Sequence, residues 1–298
     1  MNAAFDPAAI VASLDLHESA LLGDEMRSSV LHHGRRTADV TVLLHGLTAS
    51  PRAWREFAGV RHQRGENVLV PRLPRHGHAD LMTDALARLT ADELAAQCAT
   101  IIDAAAGLGE RITVVGFSLG GALALHAAHR DERIERAVAV APFLGIKRLP
   151  PDWHAFARAV LERAPNRFVY WNPVTKGRYL PEHGYSRYTT RSLAACFALA
   201  DALREDARGG PPRARHVEIV RNAGETAVSG RAISDLVARW RAAGGDRVRV
   251  HRLVGLGMSH DVIEPERRGS PASRFLPLLH AILDAPPRDE DATIDANG

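Results

Sequence analysis

The 298-residue chain has only two cysteines, Cys98 and Cys196, and only two lysines, Lys147 and Lys176, among its 38 basic residues. Each cysteine lies in an apolar stretch of helical spacing, so two small buried thiols are expected in place of a disulfide or a metal site. No apolar run is long enough to cross a bilayer. Residues 1–15 lack a basic start followed by an apolar block, so no secretory signal is expected and the cytoplasm is the expected location. Blocks of like charge are missing as well. Arginines alternate with acids and the formal net charge is only +3, which argues against a nucleic-acid groove. Histidine, by contrast, is plentiful, with 15 in the chain, so any one of them needs a context before it counts as functional.

What is present is an alternation. Apolar runs of strand length at 40–44, 67–70, 112–115, 137–140, 217–220 and 248–253 are separated by amphipathic stretches at 51–64, 91–106, 122–130, 229–243 and 272–285. This pattern predicts an α/β fold, a mostly parallel sheet with helices on both faces, spanning about residues 1–285. Residues 29–32 read as a short edge strand. The segment 142–188 breaks the alternation ahead of a long helix at 190–206. It is rich in proline and aromatics, holds one helix at 153–163 and otherwise reads as irregular, which suits an inserted lid. Its aromatics, Trp153, Phe156, Phe168, Tyr170, Trp171, Tyr179, Tyr185 and Tyr188 among them, either line a binding site or simply hold the insertion onto the main domain. Residues 286–298 read as a disordered tail.

The strongest chemical signal is Gly116-Phe117-Ser118-Leu119-Gly120, followed by Gly121. It lies between the apolar run Ile112-Thr113-Val114-Val115 and an Ala/Leu-rich helix. A strand–turn–helix corner of this kind holds a serine in a strained conformation above the strand ends, and glycines two residues to either side relieve the crowding. Ser118 is therefore the candidate nucleophile. Val42-Leu43-Leu44-His45-Gly46-Leu47-Thr48 is a second buried strand running into a His-Gly turn. Acyl transfer needs two backbone N–H donors for the developing oxyanion, and Leu47 and Leu119 are the candidates. His45 reads as a scaffold residue of that loop.

His-Gly-x-Thr after a strand, then this corner, then a late His-Asp pair resembles the α/β-hydrolase superfamily, most closely its bacterial carboxylesterases and monoacylglycerol-lipase-like enzymes. The loop Pro71-Arg72-Leu73-Pro74-Arg75-His76-Gly77-His78 is similar to the Pro-x-x-Gly-His-Gly stretch of those relatives, with Arg75 where glycine is usual. The resemblance runs in order over about 40–283, with the insertion matching only loosely.

That resemblance implies the chain order serine, acid, histidine. His260, on the glycine-bordered loop after the last strand, is then the expected general base. His251 lies inside the strand and His280 inside the final helix. Glu225 is the only carboxylate in the loop after the 217–220 strand, so it is the expected acid, although relatives usually carry aspartate there. Asp235 and Asp246 read as surface charges, and Asp261 as a loop-stabilising or capping residue.

The expectation is a serine hydrolase of small to medium carboxylic esters, a carboxylesterase, with a small-molecule acyl ester as partner, no nucleic acid, and no metal or organic cofactor. Two alternatives stay open. An acyltransferase would use the same Ser118 acyl-enzyme and give product ratios that depend on the acceptor alcohol. A non-catalytic binding homologue would resist fluorophosphonate labelling.

Overall fold

The computed structural model describes residues 5–16, 18–174, 183–266, 269–287 and 290–297. After helix α1 (Pro7–Asp15), strand β1 (Ser29–Leu31) and strand β2 (Thr37–Leu44) come α2 (Arg55–Gln63), β3 (Asn67–Val70), α3 (Ala91–Leu108) and β4 (Gly109–Phe117). The chain continues through α4 (Leu119–Arg130) and β5 (Ile134–Val140). The insertion follows, with α5 (His154–Arg163) and the short strands β6 (Phe168–Tyr170) and β7 (Arg187–Thr189). The last elements are α6 (Thr190–Asp206), β8 (His216–Asn222), α7 (Gly230–Ala242), β9 (Val248–Val254), α8 (Ala272–Asp284) and β10 (Ala292–Asp295).

Eight strands form one sheet in the order β1-β3-β2-β4-β5-β8-β9-β10. Only β1 is antiparallel, pairing Val30 with Leu69; the other neighbours are parallel. Parallel strands covered on both faces need side chains that are apolar in both directions. Accordingly Val40, Val42, Leu43 and Leu44 of β2 and Val68 and Leu69 of β3 are fully buried. Helices α3, α4 and α6 contact one another, and α4 lies on β2, β4 and β5. Phe57 of α2 stacks on His280 of α8 with ring centroids 4.0 Å apart, joining the helices of the other layer. From β2 the chain runs outward to β3 and then returns past β2 to β4. The loops after β2 and β4 therefore part company at neighbouring strand ends, the switch point where doubly wound sheets open a crevice.

Two expectations need correction. Beyond its one helix the insertion is not wholly irregular, because β6 and β7 pair antiparallel with Val169 opposite Tyr188. Three-residue strands carry too little periodicity to be visible in a sequence. The tail 286–298 is not uniformly unstructured either, because β10 adds to the sheet edge beside β9 with Ile294 opposite Leu253. Its Ala-Thr-Ile-Asp sequence has the alternation of a strand, which the flanking Pro-Pro and acidic residues mask. Of the aromatics singled out in the insertion, Tyr179 lies outside the described residues. Both cysteines are buried and unpaired, and burial pushes each thiol up to about 12. Among the described residues no helix is long and apolar enough to cross a membrane.

Candidate active site

Ser118 sits at the corner between β4 and α4 with φ 53° and ψ −110°, a conformation an L-residue holds only when its surroundings enforce it. The enforcement is visible. Its N–H donates to Val140 O at 2.9 Å, and its carbonyl accepts from Ala122 N at 3.0 Å and Phe143 N at 2.9 Å. The flanking glycines are required by contact. A Cβ at Gly116 would lie 2.0 Å from Gly120 O, and one at Gly120 would lie 2.2 Å from Leu44 O.

His260, on the loop after β9, faces the serine. Its Nε2 is 3.0 Å from Ser118 Oγ and its Nδ1 is 2.9 Å from Glu225 Oε2. A carboxylate only accepts, so the Nδ1 proton points to Glu225 and Nε2 is left to accept from the serine hydroxyl. The other oxygen of Glu225 accepts from Ala227 N at 2.6 Å and Val228 N at 3.3 Å. Burial works to raise the Glu225 pKa, but the hydrogen bond and charge of His260 and the two amides outweigh it and hold it below the usual glutamate value. Lys147 also donates to the Glu225 carbonyl.

The candidates set aside in the sequence lie away from this line. Asp235 and Asp246 are exposed. His251 is buried in β9 and bonded to Glu218, which also pairs with Arg136. Asp261 Oδ1 accepts from Ile263 N and Glu264 N, both at 3.3 Å, as a loop-stabilising residue should.

Leu47 and Leu119 both border the cleft that holds Ser118 and His260. Leu119 is the first residue of α4, so its N–H has no acceptor within the helix. The loop bearing Leu47 is held from behind by two histidines. His45 is fully buried; its Nε2 accepts from Leu73 N at 3.1 Å, so the proton sits on Nδ1, 2.9 Å from Gly46 O. Burial keeps its pKa well below the ordinary histidine value. His76 repeats the pattern: Nδ1 faces Pro74 O at 2.8 Å and Nε2 accepts from Thr48 N at 3.3 Å, with burial lowering its pKa to about 4. The Thr48 amide is thus taken by His76, while Leu47 beside it borders the cleft.

Sequence reasoning missed one supporting residue. Asn222, at the end of β8, donates from Nδ2 to Gly257 O at 3.0 Å and Ser259 O at 2.8 Å, tying the glutamate loop to the histidine loop. A lone asparagine after a strand carries no motif, so nothing in the sequence marks it. Arg75, which stands where the resemblance expects glycine, has φ 66°. Its guanidinium bridges Glu18 at 3.2 Å and Glu93 at 2.5 Å.

The cleft measures about 580 Å³ and is walled on its apolar side by Phe143, Ile146, Trp171, Tyr188 and Leu193. Residues 41–284 match the model of a family described as "Alpha/beta hydrolase family". A search of curated proteins finds no match to the chain. Solved structures are similar at low identity. One, described with LipS and LipT, two metagenome-derived lipolytic enzymes, has a TM-score of 0.64 at 16% identity, over 88% of this chain and 99% of that one. The Paleococcus ferrophilus monoacylglycerol lipase has a TM-score of 0.64 at 16% identity, over 86% and 97% of the two chains. A soluble variant of the Saccharomyces cerevisiae monoglyceride lipase has a TM-score of 0.65 at 10% identity, over 87% and 91%. These likenesses establish a shared fold.

Proposed function

Since the chain belongs to the alpha/beta hydrolase family, we propose that it hydrolyses carboxylic esters of small to medium acyl chain, with Ser118 as nucleophile, His260 as general base and Glu225 as supporting acid. The observation that carries the reading is the unbroken hydrogen-bond line from Ser118 Oγ to His260 at 3.0 Å and on to Glu225 at 2.9 Å. His260 Nε2 takes the serine proton as Oγ bonds to the acyl carbon, and the carbonyl electron pair moves onto oxygen. The Leu47 and Leu119 amides hold that oxyanion, each donor being worth about 3 kcal/mol in such sites. Glu225, kept ionised, stabilises the imidazolium. As the C–O bond to the alcohol breaks, His260 returns its proton to the leaving oxygen. Water, deprotonated by His260 in the same manner, then releases the acid from the acyl-enzyme.

The aromatic and aliphatic wall of the cleft suits the acyl chain, and its volume suits a small-molecule ester. The insertion between β5 and α6 serves as the lid of this cleft, contributing Ile146, Trp171 and Tyr188. The lipase neighbours are consistent with this substrate class. The deciding test is Ser118→Ala: hydrolysis of p-nitrophenyl esters should vanish while the thermal midpoint stays near that of the unaltered protein. Turnover retained in this variant would overturn the assignment.

A further inference from the structure

Thr48 follows directly on Leu47 and has φ 71°. It is the third residue of a turn closed by Ala49 N donating to Gly46 O at 3.2 Å. Positive φ at this turn position is ordinarily left to glycine or asparagine, and a β-branched residue there is an outlier that neighbours must hold in place. Every polar group of Thr48 is in fact held. The N–H donates to His76 Nε2 at 3.3 Å, from the loop after β3. The other two bonds come from the insertion: Tyr185 N–H donates to the Thr48 carbonyl at 2.7 Å, and the Trp171 indole Nε1–H donates to Thr48 Oγ1 at 2.9 Å.

The insertion is anchored where it makes these bonds. Trp171 N donates to Ser186 O at 3.3 Å at the end of the β6–β7 pair, and its ring lies 4.6 Å from that of Tyr188. Tyr185 Oη accepts from His78 N at 3.0 Å and donates to Arg75 O at 3.2 Å, in the same loop that carries His76. Tyr185 is buried although it belongs to the insertion.

We propose that Trp171 and Tyr185 are positioning residues for the oxyanion hole: the insertion, when docked, holds Thr48 in its left-handed conformation and thereby aims the neighbouring Leu47 N–H at the reacting carbonyl. This rests on the ester-hydrolase reading above. Release of the insertion frees two of the three bonds on Thr48, the turn relaxes toward negative φ, and one oxyanion donor is lost while the Ser118–His260–Glu225 line stays intact.

The test is a double-mutant cycle on the one bond, with steady-state hydrolysis of p-nitrophenyl acetate, an acyl group too short to depend on the aromatic wall. Trp171→Phe keeps the ring and removes the N–H; Thr48→Val keeps the β-branch and removes the acceptor. Each single variant is expected to lower kcat about tenfold, as loss of one orienting hydrogen bond would, with KM within about twofold. The double variant should fall no further than the weaker single one, because both delete the same interaction. Unchanged kcat in either single variant, losses that multiply in the double, or losses carried by KM would each overturn the proposal. An unaltered protein that neither turns over the ester nor takes up a fluorophosphonate at Ser118 would instead overturn the hydrolase reading, and this inference with it.

Discussion

At the residue scale the proposed mechanism is most open to test at Glu225. Its carboxylate accepts from His260 Nδ1–H, and in the proposed mechanism it must be ionised when the imidazole becomes charged. Glutamine at this position would still accept from Nδ1–H but would bring no negative charge. Glu225→Gln is therefore expected to lower kcat about 10³-fold or more, within the range seen for a mis-set catalytic histidine, with KM near normal. Asp235→Asn and Asp246→Asn, both at exposed positions, should leave kcat within about twofold; a large loss in either would show that the acid lies elsewhere. The extra methylene of glutamate relative to aspartate is absorbed by its loop, where the Ala227 and Val228 amides turn the carboxylate toward His260.

Among the elements, the ends of β8 and β9 matter most, since the loops that leave them carry Glu225 and His260. These loops meet backbone to backbone. A Cβ on Gly224 would lie 2.1 Å from the Gly257 carbonyl oxygen, well inside contact distance, so neither loop can stay in place around a side chain there. Gly224→Ala is expected to push the loops apart, costing about 1–3 kcal/mol of stability as overpacking does and lowering kcat at least tenfold. Thermal unfolding and ester turnover on the same sample check both; a fully active, equally stable variant would contradict the close approach. The requirement could not be read from the sequence, because Gly224 and Gly257 are 33 residues apart and each alone looks like an ordinary loop glycine. Gly116 is legible beside Ser118 because its crowding partner, Gly120, is local, whereas Gly120 is crowded by the distant Leu44 carbonyl.

Taken whole, the molecule buries several histidines in neutral form. Burial lowers the pKa of His76, His126 and His280 to about 4, and that of His45 well below its usual value. Between pH 6.5 and about 4 the unfolded chain binds protons at these positions that the folded chain does not. Stability should therefore fall as pH drops through that window, by up to about 1.4 kcal/mol per pH unit for each such histidine. Glu218 and Glu225 add to the loss at the lower end. Burial opposes their ionisation, but their bonded partners hold both pKa values below the usual glutamate value, so their contribution is present above about pH 4.5 and disappears as pH falls through the folded value. Thermal midpoints measured from pH 7.5 to 4.5 should decline steadily below 6.5. A flat profile would mean that these histidines are not buried as neutral rings.

The sequence by itself determined the α/β alternation, the strand–turn–helix corner at Ser118 and the His-Gly turn before Leu47, because periodicity and tight turns are properties of neighbouring residues. His260 and Glu225 follow from the chain order that the family resemblance implies. What only the tertiary structure decided is their approach. Ser118, Glu225 and His260 come from loops more than thirty residues apart, and parallel β4, β8 and β9 bring their C-terminal ends to the same end of the sheet. The same holds for Asn222 between its two loops, for Trp171 and Tyr185 on Thr48, and for β10 at the sheet edge. Each depends on pairing and packing between distant segments, for which a single chain read in order carries no local signal.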